Sequence, residues 1–176
     1  MKHIWSLLLV LCIFFWSCGE EEEKSNIPDY TVNLLLHPTG VDDYLSTIGN
    51  IGIYLPASEK AAYEKLLDGV KGVKLYTAPR LSGEAIGYSG LLVIRTGVDA
   101  DMISGLAAFD LCCPSEVIQS IRVVPTSKGT AKCPLCGSEF NLWENGRAIE
   151  GSAKTSNYKL KSYSVRSENG KFRVIR

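Results

Sequence analysis

Two stretches decide how this chain is read: Phe109-Asp110-Leu111-Cys112-Cys113-Pro114-Ser115-Glu116 and Cys133-Pro134-Leu135-Cys136-Gly137-Ser138-Glu139-Phe140-Asn141-Leu142. Each sets a Cys-Pro step at the end of a strand-like run. Proline cannot donate to a ladder, so the backbone turns there and neighbouring N–H groups are free to point inward. Two such loops can cradle a metal centre between them.

Strand geometry decides which thiols can meet. Consecutive side chains of an extended strand face opposite ways. Cys112 and Cys113 are therefore expected to diverge. Cys112 is expected to be a small core residue, joining a metal site only where a bulge turns it round. The segment Cys133-Pro134-Leu135-Cys136 also has the CPxC form of a thiol–disulfide oxidoreductase. That chemistry uses a helix N-terminus to lower the thiol pKa, whereas the residues after Cys136 read as a strand followed by a hairpin turn.

Outward from the loops the chain reads as short strands between glycine-rich turns, the pattern of an all-β sandwich or barrel. Strands are expected at Val32 to Leu36, Ile51 to Leu55, Val73 to Tyr76, Leu91 to Arg95, Leu106 to Leu111 and Arg122 to Val124. Two hairpins close the chain: Phe140 to Trp143 turning at Asn145-Gly146 into Ala148 and Ile149, and Tyr158 to Val165 turning at Asn169-Gly170 into Phe172 to Ile175. One helix interrupts the strands. Ser58 can cap it, Ala62, Tyr63, Leu66 and Leu67 form its apolar stripe and Gly69 ends it. It reads as an insertion packed on antiparallel sheets.

The two loops together resemble the Rieske iron–sulfur family, whose first loop reads Cys-Pro-His and whose second reads Cys-Pro-x-His-Gly-Ser-x-Phe-Asp. Cys113 falls at the first cysteine position, Ser115 at the first histidine, Cys133 at the second cysteine and Cys136 at the second histidine. The 17 residues between Ser115 and Cys133 match the family's interval. Gly137, Ser138, Phe140, Gly146, Gly151, Leu160, Tyr163 and Val165 fall as in its tail, and Ala108, Phe109 and Asp110 resemble its approach strand. The resemblance covers roughly Gly90 to the C-terminus. It implies an all-β, Rieske-like domain over residues 27–176, with a small two-loop cluster-binding subdomain at about 107–150.

The departures bear on the cofactor. In that family two cysteines hold one iron of a 2Fe-2S cluster and two histidines the other. Here the only histidines are His3 and His37, and neither lies in a loop. His37 reads as a surface or turn residue. The expected donors are Cys113, Cys133 and Cys136, with the Ser115 hydroxyl and Cys112 as possible additions. Three outcomes stay open: an atypical cysteine-ligated 2Fe-2S centre, zinc, or no metal, with a Cys113–Cys133 or Cys133–Cys136 disulfide as staple. A retained cluster implies a one-electron carrier serving a redox partner protein. A lost one implies a cluster-free structural or binding module, and neither is an enzyme by itself.

The N-terminus reads as a targeting segment. Lys2 and His3 precede an apolar run from Ile4 to Phe15, too short to span a bilayer comfortably, and Ser17-Cys18 resembles a bacterial lipobox. This implies a signal peptide over residues 1–17, lipid attachment at Cys18, and a membrane partner reached through that lipid. The chain is then an outer-membrane lipoprotein facing the periplasm or the cell surface. Gly19, Glu20 to Glu23, Lys24, Ser25 and Asn26 follow as an acidic, solvated tether over residues 18–26. With Cys12 removed and Cys18 acylated, Cys112, Cys113, Cys133 and Cys136 are the remaining thiols. Outside the cytoplasm such thiols oxidise unless a metal holds them.

The chain has 176 residues, 45% of them hydrophobic, and a formal net charge of zero. That suits one globular domain with its own core. Lysines and arginines are dispersed, without the basic surface that nucleic acid requires. The tyrosines are scattered, and no P-loop, dinucleotide-binding turn, nucleophile elbow or paired-carboxylate motif is present.

Overall fold

The computed structural model describes residues 24–97 and 105–176. Cys18, the signal segment and the acidic run Glu20 to Glu23 lie outside the described residues. Among the described residues no helix is long and apolar enough to cross a membrane.

The chain is mostly β-structure in two sheets. Eight strands form the larger sheet: β1 (Val32–Leu36), β2 (Ile51–Leu55), β3 (Val73–Thr77), β4 (Ala85–Ile86), β5 (Leu91–Arg95), β6 (Leu106–Asp110), β11 (Ser162–Glu168) and β12 (Lys171–Ile175). Their order is β3-β2-β5-β6-β11-β12-β1-β4. The smaller sheet runs β10-β9-β8-β7, from β7 (Val124–Pro125), β8 (Thr130–Lys132), β9 (Glu139–Asn141) and β10 (Arg147–Glu150).

In the larger sheet β2 and β5 are buried on both faces, and side-chain alternation divides the residues between two clusters. On β2, Ile51, Ile53 and Leu55 face one cluster and Tyr54 the other; on β5, Leu92 and Ile94 oppose Leu91 and Val93. The second cluster draws Val32, Leu34 and Leu36 of β1, Tyr76 of β3, Ala108 of β6, Tyr163 of β11 and Val174 of β12. Strands from both ends of the sheet thus share one apolar filling, and the sheet curls around it. The first cluster lies on the opposite face, under the smaller sheet, with Ala131, Phe140, Ala148, Cys113 and Cys133 as members.

Among the named strands described, pairing is antiparallel except at one place. β2 and β3 run parallel, Ile51 opposite Val73 and Leu55 opposite Thr77. The expectation of purely antiparallel sheets is corrected there, because the expected helix is the crossover joining these two strands. Parallel neighbours need such a long connection. Helix α1 (Ala57–Glu64) continues as a 3-10 turn at Lys65–Leu67. Pro56, rather than Ser58, stands at its N-cap without a capping side chain, its fixed φ suiting the entry to the first turn. Tyr63 is its buried residue and donates a 2.6 Å hydrogen bond to the carbonyl of Val123, fastening α1 to the smaller sheet.

The segment read as a strand at Arg122 to Val124 is strand only from Val124, and Arg122 makes one isolated bridge to Cys112. Both hairpin turns have the left-handed backbone that Asn-Gly favours: φ is 53° at Asn145 and 73° at Gly146, and 50° at Asn169 and 76° at Gly170. A second short helix, α2 (Gly151–Thr155), follows β10. Lys24 pairs beside it, its N–H donating to the Asn157 carbonyl at 3.3 Å and its carbonyl accepting from Lys159 N–H at 3.0 Å.

Candidate metal centre

β6 delivers the first loop. Its last residue, Asp110, is fully buried and accepts from the N–H groups of Tyr88 (2.8 Å), Ser89 (3.2 Å) and Cys112 (2.9 Å) and from the Tyr163 hydroxyl (2.8 Å). Burial raises the Asp110 pKa against the pull of these donors. They fix the direction in which the chain leaves β6, and with it the placement of the cysteine pair. Beyond Pro114 the chain coils back, the Cys113 carbonyl accepting from Glu116 N–H at 3.2 Å and Val117 N–H at 2.9 Å.

β8 delivers the second loop. Cys133 N–H donates to the Ser138 carbonyl at 2.9 Å, and the Cys133 carbonyl accepts from Gly137 N–H at 3.1 Å. Gly137 takes φ of 71°, a conformation that side chains other than glycine's resist. This tight return places Cys133 and Cys136 on the same side.

The two loops bring three sulfurs together. The Sγ atoms of Cys113, Cys133 and Cys136 all lie within 4.8 Å of one another, and those of Cys113 and Cys136 are 3.7 Å apart. Cys113 and Cys133 are buried and Cys136 half-buried; all four described cysteines are free thiols. Neither disulfide weighed from the sequence is formed.

Amides face the sulfurs as the Cys-Pro steps imply. A hydrogen bond from Cys113 lowers the Cys133 pKa against the opposing effect of burial, helped by the backbone N–H groups of Cys136 and Leu135. Cys113, as the donor of that bond and a buried group, is raised; the N–H groups of Ser115 and Glu116 work in the other direction. The net displacement favours thiolate at Cys133 and the protonated thiol at Cys113.

Cys112 lies outside the sulfur group. Its side chain is fully buried and approaches the carbonyls of Cys113 (3.6 Å) and Ile118 (3.7 Å). Burial pushes its thiol up to about 11. It is the small buried residue that strand alternation implies. Ser115 reaches Ser152 Oγ of α2 at 3.4 Å. His37 sits in the turn after β1, its carbonyl accepting from Gly40 and Asp42 N–H groups, and belongs to no donor cluster.

Two further contributors are Ser138, which the sequence marked only as a match to the family's tail, and Ser152, which it did not mark. Ser138 Oγ lies 3.2 Å from Cys136 Sγ and 3.2 Å from Ser152 Oγ, and accepts from Ala153 N–H at 3.1 Å. The signal for this contact is Gly151. With φ of +79°, a Cβ there would stand 2.7 Å from Ser138 Cα and Oγ, so only glycine lets α2 approach the second loop this closely.

A cleft of about 500 Å³ opens beside the sulfurs, lined by Leu66, Val124, Lys132 and the Cys133 loop. A cleft of about 550 Å³ on the far side of Leu66, with Glu59, Tyr63, Ile118 and Arg122 in its lining, contains no thiol. A 2Fe-2S cluster takes four protein ligands, two on each iron. Among the described residues three thiols converge, and no histidine or carboxylate joins them, so this donor set does not fit two irons. No protein-family model matches the chain, and no curated protein matches it significantly.

Proposed function

We propose that this chain is an exported, lipid-anchored module with a Rieske-like domain that holds metal through Cys113, Cys133 and Cys136, acting as a binding protein and not as an enzyme. The observation that carries it is the convergence of three free thiols from two separate loops to within 4.8 Å. The lowered pKa of Cys133 supports the same role, since a metal site needs its thiols deprotonated. In support of the Rieske-like architecture, both loops carry Cys-Pro steps at strand ends and meet at a small sheet packed on a larger one. Export and lipid attachment at Cys18 follow from the N-terminal sequence.

The test is metal content. The chain from residue 19 onward, purified without oxygen and reconstituted separately with zinc, copper(I), and iron with sulfide, is passed through gel filtration. Stoichiometric retention of metal in at least one case is expected. Metal-free protein in all three overturns the role.

A metal-free structural or binding module is the second reading. The 3.7 Å between Cys113 and Cys136 favours it, because an extracytoplasmic thiol oxidant that accepts two electrons and two protons closes such a pair into a disulfide.

A further inference from the structure

Resting on the metal-binding role, we infer that the three sulfurs take a single thiophilic ion of the copper(I) and zinc(II) class. The Rieske-like loops have thus become a mononuclear three-thiolate site in place of a two-iron one.

The first ground is spacing. A metal–sulfur bond of about 2.3 Å sets sulfurs on one ion about 3.8 Å apart in a tetrahedral site, and about 4.0 Å apart in a trigonal one. The observed group is within 4.8 Å throughout, with one pair at 3.7 Å. Closing the wider separations by at most about 1 Å, within reach of side-chain rotation, seats the group on an ion. Ligands on different irons of a cluster stand farther apart, because the iron pair and its bridging sulfides lie between them.

The second ground is the chemistry of the donors. The converging groups are all soft thiols, which select copper(I) and zinc over hard cations. Cys112, the nearest reserve of a fourth sulfur, is turned to the carbonyls of Cys113 and Ile118. Ser138 meets Cys136 from outside the group and holds the Ala153 N–H and the Ser152 hydroxyl as its other partners. Once Cys136 is a thiolate, the Ser138 hydroxyl turns to donate to it. The three converging thiols, with one hydroxyl beside Cys136, make a donor set for one soft cation.

The third ground is the open side. The cleft along Cys133 and Cys136 reaches solvent past Lys132 and Leu135. A copper(I) ion is complete with three sulfurs, whereas zinc takes a water as its fourth ligand, and the cleft admits one.

Native mass spectrometry and X-ray absorption on the reconstituted chain test this directly. One ion per chain with three sulfurs in its shell is expected: three sulfurs alone for copper(I), three sulfurs and one oxygen for zinc. The Cys112→Ser chain should bind as tightly as the unaltered one, and Cys136→Ser should lose at least tenfold in affinity while keeping its circular dichroism. Two irons with two sulfides per chain, or four sulfurs around one ion, would overturn the single-ion site while leaving the metal-binding role standing. Cys112→Ser binding more weakly would overturn the assignment of donors. Failure to retain any metal sinks both.

Discussion

Asp110 and the three thiols answer the same need in opposite ways. Asp110 and Cys113 are ionisable groups carried inward at the end of β6, and β8 brings Cys133 and Cys136 to join Cys113. The Asp110 carboxyl meets four donors from the protein itself and has no side left open. The three sulfurs converge to within 4.8 Å of one another, beside a cleft lined by Cys133 and Cys136. The difference separates a structural anchor from a binding site: burial and pKa displacement occur in both, and what distinguishes them is whether the donors surround the group or leave it a shared open face. One displaced pKa in a buried position is thus a poor guide to function until its partners are counted.

The contrast can be broken at its strongest point first. Asp110→Ala leaves three N–H groups and the Tyr163 hydroxyl without their acceptor, and should cost on the order of 4 kcal/mol of unfolding free energy in a denaturant titration. A loss under about 1 kcal/mol would show that the carboxyl is no anchor. Gly151→Ala should come next. It combines a strained φ with a Cβ driven against Ser138, costing about 2 kcal/mol and weakening metal retention together. Loss of stability with unchanged metal affinity would uncouple α2 from the second loop.

A smaller effect is read against pH. An unfolded aspartate titrates near 3.9, and burial raises Asp110 above its ordinary value in the fold. The folded protein therefore holds this proton more tightly. The stability it contributes is fully present below the unfolded pKa and is lost as pH rises through the folded one. Tm should decline across that window in the unaltered chain, and Asp110→Asn should lack this component of the decline. Cys136→Ser should alter stability by less than about 1 kcal/mol, because the half-buried sulfur fills little of the core. Its consequence is expected in metal affinity alone. Least of all, Glu59→Gln, which breaks the ion pair with Arg122, should change stability by under about 0.5 kcal/mol, since the Glu59 side chain is 41% exposed.

The strand-rich character and the thiol group were legible in sequence for local reasons. Asn145-Gly146 and Asn169-Gly170 announce turns because few other pairs adopt two consecutive positive φ values. Cys112 and Cys113 separate as alternation leads one to expect, although β6 ends at Asp110 and Cys112 makes only an isolated bridge to Arg122. What escaped depends on contacts between distant segments. That Ile51 to Leu55 runs parallel to Val73 to Thr77 cannot be read from either strand, since both would alternate alike in an antiparallel pair. Nor does the burial of Leu91 to Ile94 on both faces have a local signature that distinguishes a helix-covered sheet from a curled one. Ser138 and Ser152 look like ordinary loop serines until Gly151 brings them within 3.2 Å.

The seam between β1 and β12 has a consequence for timing. Asn33 lies opposite Ile175 and Leu36 opposite Phe172, so the first strand of the domain waits for the last. A chain with such long-range closure has high contact order and folds slowly, because most of the loop entropy is lost before the seam can form. Until β12 has formed, the edge of β1 that will meet it stays unpaired, and the curl of the sheet is left open along that seam.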